Sequence, residues 1–346
     1  MKRISTDEAL FLLKKEDFHK LAKRANEIKR ELHNNDIVTF IVDRNINYTN
    51  ICINKCKFCA FHRDGQDDDA YILSKEEIFK KIEETIVLGG TQILIQGGIN
   101  PGLDIDYYKG LLESIKSRYK INIHGFSPAE IEFLSKKHNL SYQETLLSLK
   151  ESGLDSIPGG GAEILSDRVR AIISPSKISS QEWLNVMETA HSIGMKTTAT
   201  MMFGSIESYE EIISHLDSIR TLQDKTGGFT AFIPWTFQRG NTKLVKEYDI
   251  KPASAVDYLK VIAVSRIFLD NIRNIQASWV TQGLKLAQVT LFFGANDFGS
   301  TMIEENVVRS TGLSNIISMN DIIYAIKQVG FRPVQRDTYY NHIKEF

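Results

Sequence analysis

Apolar positions along the chain follow two alternating periods. Stretches with an apolar residue every three or four positions predict amphipathic helices at 75–88, 104–118, 141–151, 181–193, 208–222, 253–269, 282–288 and 315–329. In the first of these, Ile78, Phe79, Ile82 and Ile86 share one face. Between the helices lie short runs rich in β-branched and aromatic residues, at 38–42, 91–96, 121–124, 155–158, 196–203, 229–237, 275–280 and 289–293, which predict strands. A further helical stretch covers roughly residues 5–33. Eight strands each followed by a helix is the count of a closed α/β barrel of the (βα)8, TIM type. The expected organisation is an N-terminal helical extension over 1–35 and a barrel domain over 36–346 that includes a C-terminal helix. A doubly wound open sheet would need GxGxxG directly after the first strand, and cysteines stand there instead. The later run Gly159-Gly160-Gly161 lacks that spacing.

Composition narrows the class without naming a chemistry. With 42% hydrophobic and 25% charged residues, the 346-residue chain can fill a substantial core. Lys and Arg number 42 against 43 Asp and Glu, so no overall positive field gathers nucleic acid or anionic lipid. The opening MKRISTDEAL is charged where a secretion signal would be apolar, and no run approaches the ~18 apolar residues of a membrane span. A cytoplasmic protein with no membrane insertion is expected. The acidic run Asp67-Asp68-Asp69 reads as a solvated loop.

Three cysteines are few, and an odd number, which argues against a disulfide framework. All three fall within eight positions, as Cys52-x3-Cys56-x2-Cys59, in the loop after the first strand. In a barrel that loop opens on the C-terminal face, where the chemistry of the fold resides. Three thiolates hold three corners of a [4Fe–4S] cluster and leave one iron open to a ligand. A Cys3His zinc site completed by His62 is the alternative, although no second CxxC or HxxxH pair accompanies it. An iron–sulfur electron carrier or zinc-stabilised interaction protein is the non-enzyme reading of the same loop.

CxxxCxxC after the first strand of a βα barrel, with Phe58 just before the third cysteine, resembles the radical S-adenosylmethionine (SAM) enzymes. Further stretches, NYTNICINKCKFCAFHR, GGTQILIQGG, INIHGFSP, DSIPGGGAEIL, TTATMMFG, GGFTAFIPWTFQ, QASWV and FFGANDFGSTMIEENV, resemble the dehypoxanthine futalosine cyclases of menaquinone biosynthesis. This likeness runs from about residue 36 to GFRPVQRD near the C-terminus. The resemblance implies Cys52, Cys56 and Cys59 as metal ligands, a [4Fe–4S] cluster and SAM as cofactors, and dehypoxanthine futalosine as substrate. It also implies an external reductant of flavodoxin or ferredoxin type. A 5′-deoxyadenosyl radical would take hydrogen from ribose C4′, and the carbon radical would attack the benzoate ring. Aminofutalosine synthase and the tyrosine-using synthase of deazaflavin cofactor assembly share the cysteine loop and barrel plan.

Residues at C-terminal strand ends should face the cofactor and substrate. Gln96, Gly97 and Gly98 end the second strand, where glycine lets backbone approach a ligand. The family's usual GGE tripeptide is absent there, Gly89-Gly90-Thr91 standing one step earlier. Glu163 is a candidate for the ribose hydroxyls of SAM and Arg168 for its carboxylate. His124 and Ser127, after the third strand, are candidates for proton transfer and substrate contact. Trp235 and Gln238 end the sixth strand and are candidates for a wall beside the benzoate. Asn296 and Asp297 are expected to finish the last strand, Asp297 as a base. Arg63, Arg239 and Arg273 are unranked partners for a substrate carboxylate.

Overall fold

The computed structural model describes residues 3–33 and 36–346. Residues 1, 2, 34 and 35 of the expected N-terminal extension lie outside the described residues. The predicted 5–33 stretch is two helices, Thr6–Lys15 and Phe18–Leu32, because Asp17 caps the second by accepting hydrogen bonds from the backbone N–H groups of His19 and Lys20 at 3.0 Å each. Both helices lie outside the barrel. Arg220 donates to the Ile4 carbonyl at 2.9 Å, and Lys29 reaches inward to donate to the Leu291 carbonyl at 2.6 Å. Among the described residues, no helix is long and apolar enough to cross a membrane.

Lys29 is 1% exposed, and burial pulls its ammonium down to about 7 from 10.5. Between those values the unfolded chain binds more protons than the folded protein, so stability gains a rising contribution as pH climbs through that window. Urea unfolding at several pH values in this range is expected to give a steeper rise for the native sequence than for Lys29→Met. Parallel profiles would show that the buried amine does not titrate.

Among the described residues there are eleven strands: β1 Ile37–Ile41, β2 Asp43–Ile46, β3 Gln92–Ile95, β4 Asn122–Gly125, β5 Ser156–Ile157, β6 Lys196–Phe203, β7 Phe229–Thr236, β8 Asn274–Ile275, β9 Asp297–Ser300, β10 Arg332–Arg336 and β11 His342–Glu345. Strands β2 to β8 form a parallel seven-stranded sheet in sequence order, and β9 lies parallel to β1. Since β1 runs through Val42 into β2, hydrogen bonds from Ala277 N to Asp297 O (2.9 Å), Asn296 N to Ile275 O (3.1 Å) and Thr39 N to Asn296 O (3.2 Å) close the ring. The closed α/β barrel expected from the periodicity is thus present. Its core is the usual branched and aromatic filling, with Ile46, Ile93, Ile95, Ile123, Met201 and Phe232 all at 0% exposure.

Three local expectations are corrected. The last barrel strand is β9, not 289–293: the run Val289–Phe293 folds as a helix end and turn, with Phe292 N bonded to Val289 O and Phe293 N to Thr290 O. Asp297 therefore begins its strand rather than ending one, which puts it deep in the barrel instead of at the mouth. Helices Pro128–His138 and Asp167–Ile173 were not anticipated. Finally, GFRPVQRD is β10, which adds parallel to the outer edge of β1 and carries antiparallel β11 beyond it. The residues after β10 fold back under the ring, where Thr338 donates to Gln92 (2.7 Å) and accepts from Asn122 (2.8 Å).

Candidate active site

A cavity of about 410 Å3 runs from the cysteine loop down into the barrel. The loop starts at Asn47, beyond β2, and backbone bonds hold it on several sides. Gly98 N donates to Thr49 O (2.9 Å), Ile53 N to Ile99 O (3.0 Å), Cys52 N to Arg63 O (3.1 Å) and Lys57 N to Ile173 O (2.8 Å). Gly98 is required by close approach: a Cβ there would stand 2.2 Å from the Ile51 carbonyl oxygen and 2.9 Å from Cys52 Cβ. Cys52, Cys56 and Cys59 all line the cavity, and none is in a disulfide. Burial pushes the Cys56 thiol up to about 12 and raises Cys59 as well. Such thiols become ligands only where a metal charge offsets the cost of ionising them.

Below the loop lies a buried hydrogen-bonded hub. Glu130 is 2% exposed and accepts from the Tyr48 hydroxyl (2.6 Å), the Ser127 hydroxyl (2.7 Å) and Gly97 N (3.3 Å). Burial pushes its carboxyl up to about 7. Tyr48 packs directly against Gly97, where a Cβ would meet the ring at 2.5 Å. Glu130 and Tyr48 together fix the Gln96-Gly97-Gly98 backbone that faces the cavity.

A second charged group flanks the cysteines. Lys177 donates to Glu163 Oε1 at 3.0 Å, and Arg170 stands 3.7 Å from Oε2. Glu163 holds a left-handed φ of 40° after the glycine run, which turns its side chain into the cavity.

The barrel floor is polar. Asp43 accepts from Gln92 (2.6 Å) and from Ser300, and burial pushes its carboxyl up to about 6. His124 shares a 2.7 Å hydrogen bond with Ser156 through Nδ1, while burial and then Arg336 drive its pKa down to about 3, so the ring is neutral. Arg336 lines the cavity and is held by Asp297 through Nε (2.6 Å) and Nη2 (3.0 Å), with the Tyr340 ring stacked 3.8 Å away.

Of the residues singled out in the sequence, Cys52, Cys56, Cys59, Gln96, Gly97, Gly98, His124, Ser127, Glu163 and Trp235 line this one cavity. Four do not. Arg168 points outward, 55% exposed at its side chain, because Glu211 and the Ile206 carbonyl hold its guanidinium. Gln238 folds back on Thr236. Asn296 is buried between Arg266 (2.7 Å) and Ile275 N (2.9 Å). Asp297 is consumed by Arg336 and Thr39. None of Arg63, Arg239 and Arg273 lines the cavity; its cations are Lys177 and Arg336. Sequence reading missed Asp43, Glu130, Lys177, Arg336 and Tyr340. Only Glu130 had a usable signal, since Ser127-Pro128-Ala129-Glu130 has the S-x-x-E form of a helix start.

A parallel barrel with three thiols at its mouth defines a class of enzyme, and comparison with known proteins agrees. Residues 46–219 match the radical SAM superfamily, and the chain belongs to that superfamily. Residues 226–345 match the CofH/MqnC C-terminal region, which gives the narrower group. The chain is 47% identical to the cyclic dehypoxanthine futalosine synthase of Halalkalibacterium halodurans, over 99% of this chain and 92% of that protein. It is also 43% identical to the 5-amino-6-(D-ribitylamino)uracil–L-tyrosine 4-hydroxyphenyl transferase of Methanococcus aeolicus, over 98% of this chain and 96% of that one. In fold it resembles the FeFe-hydrogenase maturase HydG of Carboxydothermus hydrogenoformans, with a TM-score of 0.80 and 20% identity over 98% of this chain and 78% of that one. The protein is a radical SAM enzyme, and membership implies an iron–sulfur cluster and SAM. The residues present fit them: the donors are three thiols on one loop, facing a cavity with room for a ligand beside them.

Proposed function

We propose that this enzyme cyclises dehypoxanthine futalosine to cyclic dehypoxanthinyl futalosine in menaquinone biosynthesis. Cys52, Cys56 and Cys59 hold a [4Fe–4S] cluster in this reading, and a flavodoxin or ferredoxin supplies electrons. The observation that carries it is the 47% identity to a cyclic dehypoxanthine futalosine synthase along 99% of the chain, with the cysteine loop and the polar barrel floor sharing one cavity. When bound, the cluster and SAM supply a 5′-deoxyadenosyl radical. The chain's own residues do the rest. Glu130 and Tyr48 hold the Gln96-Gly97-Gly98 backbone rigid against the cofactor, and the closed ring keeps bulk water from the reacting carbon. Trp235 offers an aromatic wall, and Ser127 and the neutral His124 offer polar contacts from β4 and its following turn. Asp43 takes the base role first assigned to Asp297, since it faces the cavity and is held by only two donors.

The tyrosine-using transferase is a second reading, favoured by the 43% identity to the Methanococcus aeolicus protein. Anaerobic reconstitution with iron and sulfide, then dithionite, SAM and either substrate set, separates the two. The expected result is 5′-deoxyadenosine together with a product two hydrogens lighter than dehypoxanthine futalosine. Consumption of tyrosine and the ribitylaminouracil, with dehypoxanthine futalosine untouched, would overturn the proposal.

A further inference from the structure

We propose that the buried pair Lys177 and Glu163 sets the reduction potential of the metal cluster, the lysine favouring its reduced state and the glutamate opposing it. The inference rests on the reading that the three cysteines hold an iron–sulfur cluster.

Lys177 lies on the loop before the helix Ser180–Ser192, far in sequence from the cysteines, yet its ammonium sits 5.6 Å from the centre of the Phe58 ring, between Cys56 and Cys59 in the chain. Its side chain is 13% exposed and that of Glu163 is 6% exposed, so water screens neither charge well. Both residues line the same cavity as Cys52, Cys56 and Cys59. Among the described residues Glu163 Oε2 has no hydrogen-bond partner, and Arg170 stands only 3.7 Å from it, so the pair is not a self-contained bridge insulated from its surroundings. Ordinary folding seldom keeps a lysine this buried beside three thiols, because desolvating it costs stability that packing alone would avoid.

Reduction adds one electron to the cluster and no proton, so the site becomes more negative by one charge. A nearby buried cation stabilises that added charge, and a nearby anion destabilises it. Removing each therefore moves the potential in opposite directions. A variant that merely loosens the loop would move both the same way.

The test is a redox titration of the reconstituted holoenzyme without SAM, followed by the electron paramagnetic resonance signal of the reduced cluster. At the potential where the native enzyme is half reduced, Lys177→Gln is expected to lower the reduced-to-oxidised ratio about tenfold, equivalent to about 59 mV for a one-electron couple. Glu163→Gln is expected to raise the ratio, and Lys177→Arg to stay near the native value. Shifts of the same sign in the two neutral variants, or none in either while iron content is kept, would overturn the inference. Should Lys177→Gln fail to take up iron, the sign of the Glu163→Gln shift still decides. A native enzyme that never acquires iron would instead refute the cluster reading itself.

Discussion

Replacing Cys56 with alanine is expected to reduce SAM cleavage to the uncatalysed background while leaving a folded protein. Cys56 is the buried member of the three, 5% exposed, with its thiol raised to about 12 by that burial. In the absence of metal such a group stays a neutral, compact side chain, so its loss removes a ligand without unbalancing a charge. Two remaining thiols cannot hold a cubane at three corners. The variant should unfold at nearly the same temperature as the native apoprotein, and lose both the brown chromophore and 5′-deoxyadenosine formation after reconstitution. Retention of iron and of cleavage activity would show that the loop is not the cluster site.

The second large effect is on stability. Asp297→Asn is expected to cost about 3–5 kcal/mol, the range for breaking a buried ion pair on one side. Asp297 is 0% exposed at its side chain and Arg336 6%, and the carboxylate also takes the Thr39 hydroxyl at 2.5 Å. The amide cannot satisfy Nε and Nη2 together without leaving a guanidinium charge uncompensated between β1, β9 and β10. Urea unfolding would measure this directly, and a cost below about 1 kcal/mol would mean that the guanidinium finds water. A double change, Asp297→Asn with Arg336→Met, is expected to cost less than the single one, because the stranded charge goes with its partner. A catalytic base at Asp297 would instead leave stability nearly intact and slow turnover.

The barrel and the cysteine loop were legible because each rests on a local pattern. Periods of two and three to four residues persist through β6 and the helix Tyr209–Thr226, and both match expectation to within a few residues. The cysteine spacing is likewise local. What was not legible depends on where remote residues meet. The aromatic run ending at Phe293 has strand composition, yet Gly294, at φ 104°, packs against the Arg266 side chain and turns the chain before β9 begins. That eight-residue displacement moved Asn296 and Asp297 from the mouth to the interior. Lys177 and Arg336 sit in polar sequence surroundings that read as surface, and only tertiary placement takes their side chains largely out of water. Arg168 was the reverse case: it follows the glycine run closely, but Glu211, a partly buried partner in the helix Tyr209–Thr226, draws it outward.

The contact between Arg336 and Asp297 also bears on how the polypeptide is born. Thirty-nine positions separate them, so Asp297 is joined to the growing chain well before its counterion is. Until Arg336 and the residues after β10 are in place, the Asp297 carboxylate is uncompensated and the lumen is open from below, so the barrel closes only when the last strand pair has been made.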